Sequence, residues 1–235
     1  MSAHEIIVNE VNPDGKWLYR AGGISAIVFV IAYIVIIALY VPVGKPSGAE
    51  AWLMSMAGNT TAWWAILGLS VLTDFLLVPI ALSLYVALKG INKNAMLAAT
   101  AFVGLFIVLD LALTWTNYAS LIALSGNYAA ATNDAQRAVF VTAATYPSSV
   151  VDSNLLFVYN SLTLAVGILM TGFVMLKGIF SKGTAYLGVV TGILGIIAVA
   201  GSFFGFLSAM IILVSILTTV WVFFVGYRLY RLGQQ

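Results

Sequence analysis

The sequence predicts an all-α protein: a polytopic transmembrane helical bundle of six helices, both termini cytoplasmic, with short amphipathic helices in the outer loops. Three observations predict it. Of 235 residues, 62% are hydrophobic and only 8% are charged, where a soluble domain carries about 25% charged residues. The apolar residues are gathered into runs long enough to cross a hydrocarbon core of about 30 Å as helix. The basic residues divide unevenly between the ends of those runs. With the N-terminus inside, Lys16, Arg20, Lys89, Lys93, Lys177, Lys182, Arg228 and Arg231 are cytoplasmic and only Lys45 and Arg137 are outside. That is the positive-inside pattern of a plasma-membrane protein.

In chain order, residues 1–16 form a polar tail, either disordered or lying on the membrane surface. Residues 17–231 form one six-helix domain, and 232–235 are a short tail. The expected spans are 17–43, 61–89, 95–124, 152–176, 184–201 and 206–227. Trp17 and Tyr19 at one end of the first span and Tyr40 at the other suit an aromatic belt. Its apolar run, from about residue 22, is longer than a signal h-region of about 7–15 residues and lacks a small-residue cleavage site, so it reads as a retained anchor. In the first outer loop, Ser47 with Glu50 three residues on has the capping-box pattern. It predicts a short amphipathic helix lying at the interface, carrying Trp52, Leu53 and Met56. Asn59 or Thr60 is the expected cap of the second span. A second outer segment, 132–146, is mildly amphipathic and is expected to stop at Pro147. The link "SFFG" makes the last two spans a close hairpin. Gly188, Gly192, Gly195, Ala198, Ser202 and Gly205 recur at spacings of three and four, a small-residue face suited to a tight helix seam.

The chemistry is concentrated in two acids. Asp74, in "SVLTDFLLVP", and Asp110, in "LFIVLDLALTW", lie equally far along the chain on either side of a turn centred on residue 92. Because helix rises by a constant about 1.5 Å per residue, the two carboxyls sit at one depth near the bilayer midplane. A charge there costs on the order of 3 kcal/mol or more, so an acid so placed is a functional candidate by default. Two carboxylates a few ångströms apart cannot both ionise cheaply, so a facing pair shares a proton or holds a cation. The bland alternative is that each acid bonds Ser70, Thr73, Thr114 or a backbone carbonyl and fixes helix packing. Helical spacing puts Asp110, Thr114 and Asn117 on one face with Tyr118 beside it, and Trp115 completes the candidate lining. Arg137, Asp152 and Asn154 are candidates for the outer mouth. Arg137 has either Asp134 or Asp152 as a partner.

Other chemistries are excluded or disfavoured. No cysteine is present and His4 is the only histidine, so thiolate catalysis, disulfides and zinc or haem sites are not expected. No cofactor is expected, nor any nucleic-acid partner, and no nucleotide-binding fingerprint occurs. The lysines lie at helix ends, which excludes a mid-membrane Schiff base.

The segments "LYRAGGISAIVFVIAYIV", "WWAILGLSVLTDFLLVPIAL" and "LKGIN" resemble a broad group of uncharacterised prokaryotic six-helix membrane proteins, classed as a domain of unknown function. The resemblance implies the six-helix architecture and a prokaryotic inner membrane, and it implies no activity. From the residues, the expected function is a transporter or permease for a small solute or cation, with Asp74 and Asp110 as coupling acids and protons or a monovalent cation as partner. One alternative is a non-catalytic membrane module: a sensor, a lipid-binding protein or a complex subunit. The other is an intramembrane aspartyl-type hydrolase.

Overall fold

A computed structural model describes residues 15–202 and 208–235 of the chain. The N-terminal tail with His4, and residues 203–205 of the "SFFG" link, lie outside the described residues. Among the described residues the protein is all-helical: α1 (Lys16–Val43), α2 (Ala49–Gly58), α3 (Thr60–Leu109), a π-helical segment (Asp110–Trp115), α4 (Thr116–Ala130), α5 (Asp134–Val151), α6 (Asn154–Met175), α7 (Lys182–Ser202) and α8 (Ser208–Leu232). Among the described residues, five helical stretches are long and apolar enough to cross a membrane: 16–43, 60–130, 134–175, 182–201 and 212–232.

The 60–130 stretch holds the two spans expected at 61–89 and 95–124. Fully extended it would be about 100 Å long, more than three times the hydrocarbon core. It is interrupted at Asn92, whose φ of −154° and ψ of 92° are non-helical. Asn92 Oδ1 accepts the Ala95 N–H at 3.0 Å, capping the second arm. The expected turn "KGINKN" is therefore a single extended residue with a side-chain cap.

Three local expectations are corrected. The capping frame of α2 is one residue later than Ser47: Gly48 is the N-cap, at φ 85°, where serine is disfavoured. Its N–H goes to Asp152 Oδ2 at 3.1 Å, and Glu50 accepts from the Tyr128 hydroxyl instead. Asn59 directly precedes α3 and its carbonyl accepts the Trp63 N–H at 3.1 Å, but neither side chain caps the helix: both donate back to α2 carbonyls, Asn59 to Ser55 O and Thr60 to Met56 O. Helix α5 starts with Asn133 as cap and runs past Pro147 to Val151. The hydroxyls of Ser148 and Ser149 both donate to Thr145 O around the proline. The next helix consequently opens at Asn154 rather than 152.

The chain forms two compact units. One comprises residues 1–31, 75–107 and 158–235; the other comprises 32–74 and 108–157. In the first unit, glycines set the helix approaches. A Cβ on Gly23 would lie 2.6 Å from the Tyr230 amide nitrogen, and one on Gly192 would lie 2.7 Å from Leu169 Cα. Gly195 likewise meets Ala165, and Gly188 meets both Gly172 and Trp221. The small-residue face of α7 is thus a seam, facing α6 through Gly192 and Gly195 and reaching α8 at Gly188. The side chain of Ser202, and Gly205, lie outside the described residues. Gly192→Leu is expected to lower the melting temperature or expression sharply, because Leu169 backbone atoms occupy the space its side chain needs. Melting like wild type would refute the seam.

The second unit has the core that frames the site. Trp52, Leu53, Met56, Trp63, Ile66, Leu121, Ile122, Ala144 and Val151 pack together, flanked by Tyr40 and Tyr118. Helix α2 buries its apolar face in protein: Trp52, Leu53 and Met56 are all fully buried. Each such side chain contributes about 2–3 kcal/mol on burial.

Candidate functional site

Asp74 and Asp110 both belong to the second unit and both are buried, at 3% and 8% exposure. Asp74 Oδ2 accepts the indole N–H of Trp115 at 2.9 Å. This bond joins the incoming arm of the hairpin to the outgoing one, which requires the two to run antiparallel. It also explains the register. Helical side chains lean toward their own N-terminus, so those on the incoming arm lean away from the turn and those on the outgoing arm lean toward it. Trp115, though farther along the chain from Asn92 than Asp74 is, can therefore reach back to the acid. Asp110 interacts with the side chains of Trp115 and Thr114, and it lies near enough to Asp74 for the two carboxylates to repel one another. Asp74 and Asp110 thus both interact with Trp115.

The segment that carries Asp110 is not α-helical. Residues Asp110–Trp115 form a π-helix, in which i→i+5 bonding brings residue 115 over residue 110. Asp110 therefore shares its face with Trp115 as well as Thr114. The widened turn is supported by its own side chains. Thr116 Oγ1 donates to Leu111 O at 2.9 Å, and Asn117 Nδ2 donates to Leu113 O at 2.6 Å. This changes the role expected for Asn117: it is buried, but its amide serves the helix carbonyl. Segments of this kind concentrate at functional sites.

From Trp115 a line of touching rings extends through the unit. Tyr118 lies 5.4 Å from Trp115, 5.4 Å from Trp52 and 5.8 Å from Trp63, stacked on the last at 29°. Trp63 also meets Tyr40 and Trp52 edge to face, at 5.9 and 5.6 Å. The Tyr40 and Tyr118 hydroxyls interact with one another. Rings this close are in van der Waals contact, so the cluster is a packed aromatic core and not an open cage. One polar atom inside it is unsatisfied: the Trp63 N–H is enclosed without a partner. An orphaned donor costs about 1–3 kcal/mol, which a water or a solute oxygen would recover.

The expected mouth residues separate. Asp152 is at the cluster, where Oδ1 accepts the Trp52 indole N–H at 3.1 Å and Oδ2 the Gly48 N–H. Arg137 pairs with Asp134 at 3.4 Å, with both side chains exposed, an arrangement worth at most about 1 kcal/mol. It does not pair with Asp152. Asn154 is exposed as the first residue of α6.

No protein-family model, curated protein or solved structure matches the chain. The geometry of the site therefore stands by itself. It adds Tyr40, Trp52 and Trp63 to the residues read from sequence as site candidates. Tyr40 and Trp52 read locally as belt and interface residues, because nothing near them in sequence signals their partners. Among the described residues, no three of His, Cys, Asp and Glu gather as a metal set.

Proposed function

We propose that the protein is a multi-pass permease of a prokaryotic inner membrane that moves a small solute or monovalent cation, with both termini cytoplasmic. Asp74 and Asp110 are the coupling acids, and protons or a cation such as Na⁺ are the partner. Membership of the uncharacterised six-helix group is part of this reading and adds no chemistry to it.

The observation that carries it is the acid pair bridged by Trp115 across a π-helical segment. An intramembrane acid is costly to keep, and a widened helical turn is a second cost at the same place. Coincident costs mark a site retained for use rather than for packing. The indole N–H holds one oxygen of Asp74 and leaves the other for a cation or proton.

The second reading, a non-catalytic membrane module, is favoured by the mutual contact of the rings, which suits a rigid scaffold. Carboxyl infrared bands of purified protein, assigned with Asp74→Asn and Asp110→Asn, separate the two. A permease gives a carboxyl band that titrates with pH and whose midpoint moves when Na⁺ or solute is added. Each Asn variant loses its band and the cation response together while remaining folded. Bands indifferent to pH, cation and solute would leave the scaffold reading in possession of the site.

A further inference from the structure

We infer that the basic end of the first unit is a docking surface for anionic phospholipid headgroups. This inference rests on the apolar membrane spans and not on the permease reading.

Eight basic residues belong to this unit: Lys16, Arg20, Lys89, Lys93, Lys177, Lys182, Arg228 and Arg231. They come from four separate stretches of chain, and specific contacts bring those stretches to one end. Arg20 Nε donates to Gly233 O at 2.7 Å, which ties the start of α1 to the end of α8. Gly23 packs on Tyr230 along the same seam. Gly15 touches Val86, which brings the start of α1 beside the turn that bears Lys89 and Lys93. Gly178 packs on Leu88 and Ile91, bringing Lys177 to that turn as well. Arg228 Nε donates to Ile179 O at 3.1 Å, and Lys182 Nζ bonds Leu176 O, so α8 and the start of α7 close the group.

All of these side chains except Arg228 are exposed, and the described residues of the unit include no acidic side chain. Glu5, Glu10 and Asp14 precede Lys16 in the chain and lie outside the described residues. The other unit has the opposite balance, with five acids against two bases. So much like charge gathered among the described residues of one end repels itself, and an anion bound there relieves the repulsion.

The aromatic residues identify the source of that anion. Trp17, Tyr186, Tyr227 and Tyr230 are exposed on the same helix ends, at 70, 59, 53 and 37%. Arg231 sits 5.9 Å over the Tyr227 ring. Exposed Trp and Tyr at the ends of apolar helices lie at headgroup level, so the cations beside them meet lipid phosphate rather than bulk water. A basic side chain at an anionic surface gains roughly five-fold in binding, and several within a Debye length act together.

The test uses the full chain in lipid nanodiscs, with melting temperature as the readout. Replacing part of the phosphatidylcholine by phosphatidylglycerol is expected to raise it by about 5 °C, with the gain lost at high salt. The quadruple variant Lys89→Gln, Lys93→Gln, Lys177→Gln, Lys182→Gln is expected to melt like wild type in pure phosphatidylcholine and to lose the gain. If that variant is less stable in phosphatidylcholine, native mass spectrometry of retained phosphatidylglycerol decides, with depletion supporting the surface. Equal melting in both lipids, a gain that survives in the variant, or an equal gain from soluble glycerol phosphate would each overturn the inference.

Discussion

Trp52→Ala is expected to destabilise the protein by about 3–5 kcal/mol, the usual cost of emptying a large aromatic site in a packed core. For a chain of this length that corresponds to a fall in melting temperature of roughly 10 °C. The size follows from where the ring sits. Trp52 is fully buried against Trp63 and Tyr118, and its N–H is half of what holds Asp152. Trp52→Phe separates the two contributions. It keeps most of the volume and removes the donor, so its cost should be about 1–3 kcal/mol. A Trp52→Ala protein that melts within about 2 °C of wild type would return α2 to the bilayer surface, where its amphipathic sequence first suggests it belongs.

Deleting Ala112 is expected to abolish the cation or solute response while the protein still folds. Ala112 and Leu113 are exposed residues of the π segment, so the deletion removes no core contact. Without the extra residue the segment closes as an α-helix, and Asp110 turns by about 100° relative to Trp115. The face shared by Asp110, Thr114 and Trp115 is then lost. The deleted protein should keep both carboxyl bands but, like Asp74→Asn, lose the response to cation and solute. Trp115→Phe tests the same bond without touching the backbone: Asp74 loses its indole donor, and its carboxyl band should shift although both acids remain. If both variants respond to cation and solute like wild type, the Trp115 bridge has no part in function.

These two sites mark where sequence reasoning reaches and where it stops. The hairpin and its turn at Asn92 are legible, because they follow from the polar break "KGINKN" between two apolar runs. The α7 seam is legible because small residues at spacings of three and four have few other uses. The π segment is not. In a helix that is apolar on every side, one inserted residue leaves no break in hydrophobic periodicity, and "DLALTW" looks like ordinary helix. The supporting bonds from Thr116 and Asn117 are visible only in three dimensions. The α2 cap is hidden for a different reason. Ser47 and Glu50 offer a complete local answer, but Gly48 at positive φ, together with an acceptor 104 residues away, displaces it.

That distant acceptor has a consequence for how the chain is made. A helix as short as α2 is marginal in isolation, and it leaves the ribosome long before Asp152 is synthesised. Until then its first amide and the Trp52 indole lack their acceptor, and the aromatic core lacks α5. The second unit needs nothing beyond residue 157, whereas the first still awaits most of α6 together with α7 and α8. The chain therefore completes the unit that contains the acids while the unit with most of the basic residues is still being translated. The docking of α2 by Asp152 dates that moment: a nascent chain stalled before residue 152 should leave Trp52 accessible to quenchers, and one stalled well after it should not.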